Sequence, residues 1–518
     1  MVDRRTFLRA GVGAIGLAAV GAMLPSASSA AAANGADGAA GVRALEWERL
    51  RRCLRGDLVL PGDSDYALAK QLDAGRFDAI SPAAIAYAED VEDIRDCLRF
   101  AQHNDIALAV RSGGHSAAGY STTTGLVLDV SRFNSIDVGA STVTIGPGVQ
   151  GVDLLTALTP HGLSAVTGNC PTVCAGGYLQ GGGIGPQMRK FGVASDRLVS
   201  ADVVLADGRL VHCSATREPE LFWALRGGGG GNFGVVTRYE IRPTDVTNVV
   251  TFSLIWPWAA AADVIAAQLP WAERAPDDLI ANLTVIQTNP AGGGAPTLMM
   301  TGDWFGADPD GLTPLLDELV AAVGTAPVSR TTNPTTYAKA MMQQFNCATK
   351  TVQECHRTGS NPEALLPRDN YMAQRGRLLA EPLDGTAINE LLTAFEASPS
   401  TGQLRLMSWG SVGGAVNRVP RTATAYVHRT SQHYFTFAAG LFSFTPTPDQ
   451  QSALDTWVDR GFDVALRYGD GEDQVNFIDS RLTDWRSAYY MENYGRLLQV
   501  KRRYDPHRFF RFAQGIGS

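Results

Sequence analysis

Two short stretches decide how this chain is read: Arg111-Ser-Gly-Gly-His115-Ser116 and Gly168-Asn-Cys170-Pro-Thr-Val173. Each sets one nucleophilic side chain, His115 or Cys170, in backbone rich in glycine or bounded by proline. A bound diphosphate needs inward-pointing N–H groups with no Cβ in the way, and consecutive glycines supply them. Ser112, Gly113, Gly114, His115 and Ser116 offer such a nest with two hydroxyls. Gly176-Gly177-Tyr178-Leu-Gln-Gly181-Gly182-Gly183 and the glycines at 227–231 are further segments where backbone can approach a ligand closely. A plain surface loop explains any one of these. His115 alone also reads as a hydrogen-bonded loop histidine, and Cys170 as a buried thiol or a disulfide partner of Cys174. The combination, with two nucleophiles among the glycines, points to a cofactor cradle.

Outward from these stretches, a strand at 83–87, a helix capped by Glu89 or Asp90, and a strand at 106–110 lead into the first glycine turn. Further strands are expected at 126–130, 143–145 and 235–241, a helix at 152–158, and a hairpin turning at Asp207-Gly208. After Pro243 the pattern changes. Strand-like segments at 251–255, 279–286 and 298–304 alternate with helical ones at 260–269 and 312–323, which predicts a second domain with an antiparallel sheet. The end, 489–512, reads as a helix followed by a Tyr504-Asp505-Pro506 turn. The fold class is therefore α+β.

The 518 residues exceed one ordinary core. A formal net charge of −8 argues against general nucleic-acid binding. Residues 1–33 carry Arg4-Arg5-Thr-Phe-Leu8, an apolar run and a small-residue stretch, a twin-arginine export signal too short for a comfortable membrane span. The expectations are export by the twin-arginine machinery and no stable membrane anchor. Gly11-Val-Gly13-Ala-Ile-Gly16 matches GxGxxG, but it lies in the apolar run with no strand before it and is rejected as a dinucleotide loop. Seven cysteines are an odd number for an exported protein. A Cys347–Cys355 loop is one possible pairing. A zinc site from Cys347, Cys355 and His356 lacks a second paired ligand set, so no metal is expected.

The two opening stretches, Gly177-Tyr178 with Gly181 to Gly183, Arg226 through Gly234, and the C-terminal Tyr490-Met-Glu-Asn493-Tyr-Gly-Arg496 together resemble the berberine-bridge-enzyme type of FAD-linked oxidase, within the vanillyl-alcohol-oxidase superfamily. The likeness runs from about 78 to 514 and is thin in the middle. It implies a two-part FAD-binding domain (78–245, with a lead-in at 34–77 and completion at 471–518). It also implies a substrate domain at 246–470, an antiparallel sheet flanked by helices. It implies a bicovalent FAD, His115 bonded to the 8α carbon and Cys170, as thiolate, to C6. Arg111, Ser112, Gly113, Gly114, Ser116, Val173, Gly177, Tyr178, Gly181, Gly182, Gly183, Asn476 and Asn493 are the other expected cofactor-binding residues. Val173 falls at the oxygen-gating position. Tyr178 replaces a histidine near the flavin N1 and C2 oxygen.

Departures from the family pattern fall on the proton acceptor. Gln474 stands where many members have a catalytic tyrosine, and Ile184 where a second one is found. Glutamine cannot accept a proton near neutral pH. Substitutes are sought at 430–437, where strand alternation would set His433, Phe435 and Phe437 on one face and Tyr434 on the other. His433 and Tyr434 are the candidate bases. Trp409 is a candidate chamber or core residue, and His428 and Arg429 read as structural. The expected function is an exported oxidase that passes hydride from a small organic or natural-product substrate to the flavin and electrons to O2, releasing H2O2. Alternatives are a carbohydrate or alcohol oxidase using another base, a flavoprotein that binds without turnover, and a dehydrogenase using another acceptor.

Overall fold

The computed structural model describes residues 42–443 and 446–518; the twin-arginine segment at 1–33 lies outside the described residues. Three sheets organise the chain. The first runs β1 (Asp57–Val59), β2 (Ala84–Tyr87), β4 (Leu126–Asp129), β3 (Leu108–Arg111), with β2, β3 and β4 parallel. Its strands are short apolar runs, buried on both faces as parallel strands are. The helix Val91–His103 crosses from β2 to β3. Asp90 caps it by accepting from the Glu92 and Asp93 amides, and Ile94, Cys97, Leu98 and Ala101 pack inward.

The second sheet is antiparallel, in the order β5 (Ile136–Val138), β6 (Val143–Ile145), β9 (Val235–Ile241), β7 (Leu198–Val204), β8 (Leu210–Ser214). The expected hairpin is β7–β8.

The third sheet has seven antiparallel strands: β13 (Ser329–Thr336), β10 (Asn248–Trp256), β12 (Thr297–Trp304), β11 (Leu279–Thr288), β15 (Gln403–Ser411), β16 (His433–Leu441), β14 (Tyr371–Leu379). Alternation along every strand but the exposed edge strand β13 sends one set of side chains to a core shared with the helices Ala261–Arg274, Leu312–Val323, Gly385–Glu396 and Pro448–Tyr468. Leu279, Ala281, Leu283 and Val285 of β11 take that side, as do Phe435, Phe437 and Ala439 of β16. The intervening residues face a large cavity.

The C-terminal segment departs from one continuous helix. The helix Trp485–Tyr490 ends where Met491 adopts φ 43°, and a second, Tyr494–Tyr504, follows a short turn. That second helix ties back to the 219–234 region. Buried Lys501 donates to the Asn232 carbonyl (2.5 Å) and the Phe510 carbonyl (2.6 Å) and pairs with Asp505 (2.7 Å).

The helix Pro448–Tyr468 meets the seven-stranded sheet at Gly461, where a Cβ would lie 2.1 Å from Phe437. Gly461→Ala gains about 1 kcal/mol of helix propensity, but overpacking costs about 1–3 kcal/mol. The variant is expected to be less stable in urea titration. An unchanged or raised midpoint would show that the contact gives way freely.

Candidate active site

The cavity holds about 2260 Å³, more than twice the volume of an ordinary ligand pocket. It lies between the glycine loops of the first two sheets and the inner face of the seven-stranded sheet.

β3 delivers the first stretch. Arg111 is buried behind the turn rather than facing the cavity. It pairs with Asp129 and its guanidinium approaches the Tyr87 ring. Its expected cofactor contact is corrected to a brace: the ion pair fixes the end of β3 where the chain enters the glycine turn. Ser112, Gly113, Gly114, His115 and Ser116 do line the cavity. The second stretch crosses the first without room for side chains. A Cβ on Gly113 would lie 2.9 Å from Cys174 Sγ, and one on Gly176 would lie 2.8 Å from Ser112 Oγ.

At this crossing the two nucleophiles meet. His115 Nε2 is 2.9 Å from Thr172 Oγ1, and Cys170 Sγ is 3.6 Å from the same hydroxyl. The other imidazole nitrogen, Nδ1, is 3.3 Å from the Asp73 carboxylate. Burial, with the Asp73 charge adding to it, pushes the Cys170 thiol up to about 11. The free thiol is therefore protonated at neutral pH, and its attack on a flavin requires the proton to be removed first. Asp369 lies alongside; burial and the Asp73 charge push its carboxyl up to about 6. Cys174 is buried, its thiol donating to the Gly148 carbonyl. Cys347 and Cys355 form a disulfide, and among the described residues no cluster of three metal-ligating side chains occurs.

Val173, Gly177 and Tyr178 line the cavity, and nothing lies within 4 Å of where a Gly177 Cβ would stand. The Tyr178 hydroxyl donates to the Ile184 carbonyl (3.0 Å), so its proton is already engaged and not free for a cofactor oxygen. Gly181 lines the cavity, whereas Gly182 and Gly183 are packing positions against Tyr426 and against Ala194 and Tyr178. Asn476 lines the cavity and latches this loop, accepting from the Gly183 amide (3.0 Å) and donating to the Tyr178 carbonyl (3.1 Å). Asn493 does not reach the cavity. Its amide donates to the Arg421, Thr424 and Ala425 carbonyls, which makes it a loop anchor rather than a cofactor ligand.

The proton-acceptor candidates separate cleanly. His433 faces the helices, fully buried, with Nε2 3.2 Å from the Leu269 carbonyl. Burial lowers it to about 4. It is not a base at the site, because strand alternation turns it away. Phe435, Phe437 and Trp409 share that outer core. Gln474 is also turned away, buried and donating to the Tyr426 hydroxyl. The short turn Val475–Phe477 presents the next three side chains to the cavity instead. Tyr434 does face the cavity, stacked on Phe477 with ring centroids 5.2 Å apart. His428 pairs with Glu472 (2.6 Å) and Arg429 with Asp196 (2.8 Å), both structural. Thr172, Asp73 and Phe477 were not singled out from sequence. Thr172 alone carried a signal, since it sits inside the Cys170 stretch.

The cavity fits a flavin dinucleotide. Two nucleophiles converge on one wall, open space stands over Gly177, and the buried hydroxyls of Ser121 and Thr122 line the cavity without a partner.

Comparisons with known proteins agree. The FAD binding domain family matches residues 82–214, and the berberine and berberine-like family matches 474–517. The FAD-linked oxidoreductase YgaK of Bacillus subtilis (strain 168) is 28% identical over 476 residues, covering 89% of this chain and 97% of its own. (R)-6-hydroxynicotine oxidase of Paenarthrobacter nicotinovorans is 37% identical over 219 residues, 42% of this chain and 47% of its own. The solved structure of Physcomitrella patens BBE-like 1 superposes with a TM-score of 0.80 at 23% identity, covering 91% of this chain and 98% of its own. The two-domain fold is that of the berberine-bridge-enzyme-like structures. These matches support a berberine-bridge-enzyme-like, FAD-linked oxidoreductase. The chain is an FAD-dependent enzyme.

One consequence concerns the free thiol. In flavin-free protein, Cys170 is expected to react slowly with iodoacetamide at pH 7, and faster as pH rises toward about 11, because only the thiolate attacks. Peptide mapping reads the rate at this one residue. Rapid, pH-independent labelling at pH 7 would contradict the buried, protonated thiol.

Proposed function

We propose that the protein is an exported oxidase of small, uncharged organic or natural-product molecules. The observation that carries this reading is the substrate-side wall. Among the described residues, the seven-stranded sheet sends no charged side chain into the cavity. It offers hydroxyls, amides and apolar groups, with Asn282, Thr284, Ser408 and Thr436 beside Ile280 and Leu406. Such a wall gives no counter-charge to a carboxylate or phosphate substrate, and burying an unpaired charge is costly.

FAD bound there would supply the hydride acceptor, N5, and the route for two electrons to O2 that gives H2O2. His115 and Cys170 are proposed to hold it covalently. The Thr172 hydroxyl orients both nucleophiles, and Asp73 is placed to accept the imidazole proton. The small Val173 side chain leaves oxygen a path. Asn476 keeps the glycine loop against the C-terminal segment, and the sheet wall excludes water and orients the substrate. The twin-arginine signal supports export of an already folded, cofactor-loaded chain.

A second reading, oxidation of a carbohydrate or alcohol, is favoured by the run of hydroxyl and amide side chains on the same wall and by Tyr434 standing among them. An anaerobic panel of neutral amines, alcohols, oligosaccharides and aromatic natural products separates the two. A compound of the first class is expected to bleach the flavin absorbance, and air to restore it with one H2O2 per turnover. Bleaching by oligosaccharides alone would select the second reading. Slow reoxidation in air would remove the oxidase assignment.

A further inference from the structure

We propose that Gly410 and Asn282 form the substrate seat on the seven-stranded sheet. The missing side chain at 410 leaves a hole for one flat ring, and the Asn282 amide donates to an acceptor oxygen or nitrogen carried by that ring. This rests on the oxidase reading above and narrows its substrates to small neutral molecules that join a ring to a hydrogen-bond acceptor.

The hole follows from strand register. On the cavity face, Tyr434 of β16 stands directly opposite Gly410 of β15, and Asn282 of β11 lies on its other side, next to the Leu283–Trp409 pair. In the following row Thr284, Ser408 and Thr436 stand side by side, and the Ser408 and Thr436 hydroxyls are bonded to each other at 2.7 Å. The strands that carry Asn282 and Tyr434 lie about 10 Å apart, and at Gly410 no side chain projects between them. One side of the gap is aromatic: the Tyr434 ring is stacked on Phe477, and both line the cavity.

The protein itself does not require a glycine at 410. The residue lies inside a strand of nine residues, outside the left-handed region, and the ladder to β16 runs past it without a bulge. A Cβ there would stand in ordinary contact, 3.6 Å from Asn282 Oδ1 and 3.9 Å from the Tyr434 carbonyl. Two other glycines of the same sheet differ. A Cβ at Gly302 would lie 2.0 Å from the Ile280 carbonyl, and one at Gly376 2.6 Å from the Phe435 carbonyl, so packing excludes a side chain at both. A glycine inside a strand weakens it, and where neither bulge nor neighbouring backbone claims the space it marks the close approach of a ligand.

Asn282 supplies the polar contact. Its Oδ1 accepts from the Ser411 backbone N–H at 3.2 Å. A backbone N–H can only donate, so the carbonyl end of the amide is fixed toward Ser411 and the Nδ2 end is left to the cavity. Among the described residues no group accepts from Nδ2, and the side chain is half-buried in the cavity wall. A donor at this rim suits a carbonyl, ether or hydroxyl oxygen or an unprotonated nitrogen, and offers nothing to an ammonium group.

The test uses the oxidised holoenzyme without oxygen and two probes of one shape. These are acetophenone and α-methylstyrene, which differ by an acceptor oxygen in place of a CH2. Binding is read from the shift of the flavin absorbance. The wild type is expected to bind acetophenone about 10-fold more tightly. Asn282→Asp keeps an acceptor for the Ser411 amide but has no donor, and is expected to lose that preference. Gly410→Leu fills the hole and is expected to weaken both probes by about 10-fold or more. Equal affinity of the wild type for the two probes, binding of neither, or wild-type affinity in Gly410→Leu would overturn the seat.

Gly410→Ala keeps the proposal testable if Gly410→Leu fails to fold. Its Cβ has room, so its urea midpoint is expected at or above that of the wild type while both probes bind more weakly. A lowered midpoint would show that the sheet needs the glycine and would overturn its assignment to the substrate. With whichever panel compound bleaches the wild-type flavin, Gly410→Ala is expected to raise KM more than it lowers kcat; a change in kcat alone would count against the seat. If no compound bleaches the wild type, the oxidase reading fails, and the probe pair still decides the seat.

Discussion

The site depends on the Thr172 hydroxyl, which lies between His115 and Cys170 and within 2.9 Å of the imidazole. Two chain segments more than fifty residues apart must cross closely enough for one hydroxyl to reach both side chains. The crossing is possible because Gly113 and Gly176 carry no Cβ where Cys174 and Ser112 press against them. Arg111, buried with Asp129, holds one segment from behind. Asn476 and Tyr426 hold the loop after the other from the C-terminal side. The cofactor wall is thus a backbone structure buttressed from behind by Arg111, Asp129 and Tyr426, with Asn476 latching it from the cavity side.

The opposite wall follows from alternation alone. Six of the seven antiparallel strands pack one face on four helices, and the period of two turns intervening side chains to the cavity. The same rule assigns chemistry on β16: Tyr434 to the cavity, His433 to the core. A one-residue change of register would exchange them. Burial decides the titration of His433, lowering it to about 4, because the imidazole loses water with only partial compensation.

Much of this was legible in the residues. The strands around the first glycine turn, the β7–β8 hairpin, and β10, β11, β12 with the helices Ala261–Arg274 and Leu312–Val323 follow from periodicity and turn chemistry, whereas β13, β14, β15 and the helices Gly385–Glu396 and Pro448–Tyr468 were not read from the sequence. The convergence of His115 and Cys170 was readable only through resemblance, since sequence order says nothing of which loops cross. Four assignments failed for a shared reason: Arg111, Asn493, Gln474 and His433 are polar residues in or beside site segments, and a polar residue there can serve the backbone or the core as easily as the ligand. Which it does depends on side-chain direction, fixed by distant neighbours such as Asp129, Tyr426 and Leu269. The continuous C-terminal helix failed at Met491, whose backbone conformation no local pattern announces.

The central claim is that one flavin is held at the crossing by both nucleophiles. It is tested most directly by mass spectrometry of peptides from acid-denatured holoenzyme. The expected result is a single flavin mass linking the peptide that contains His115 to the peptide that contains Cys170. Both peptides recovered at their unmodified masses, with all flavin in the supernatant, would contradict it.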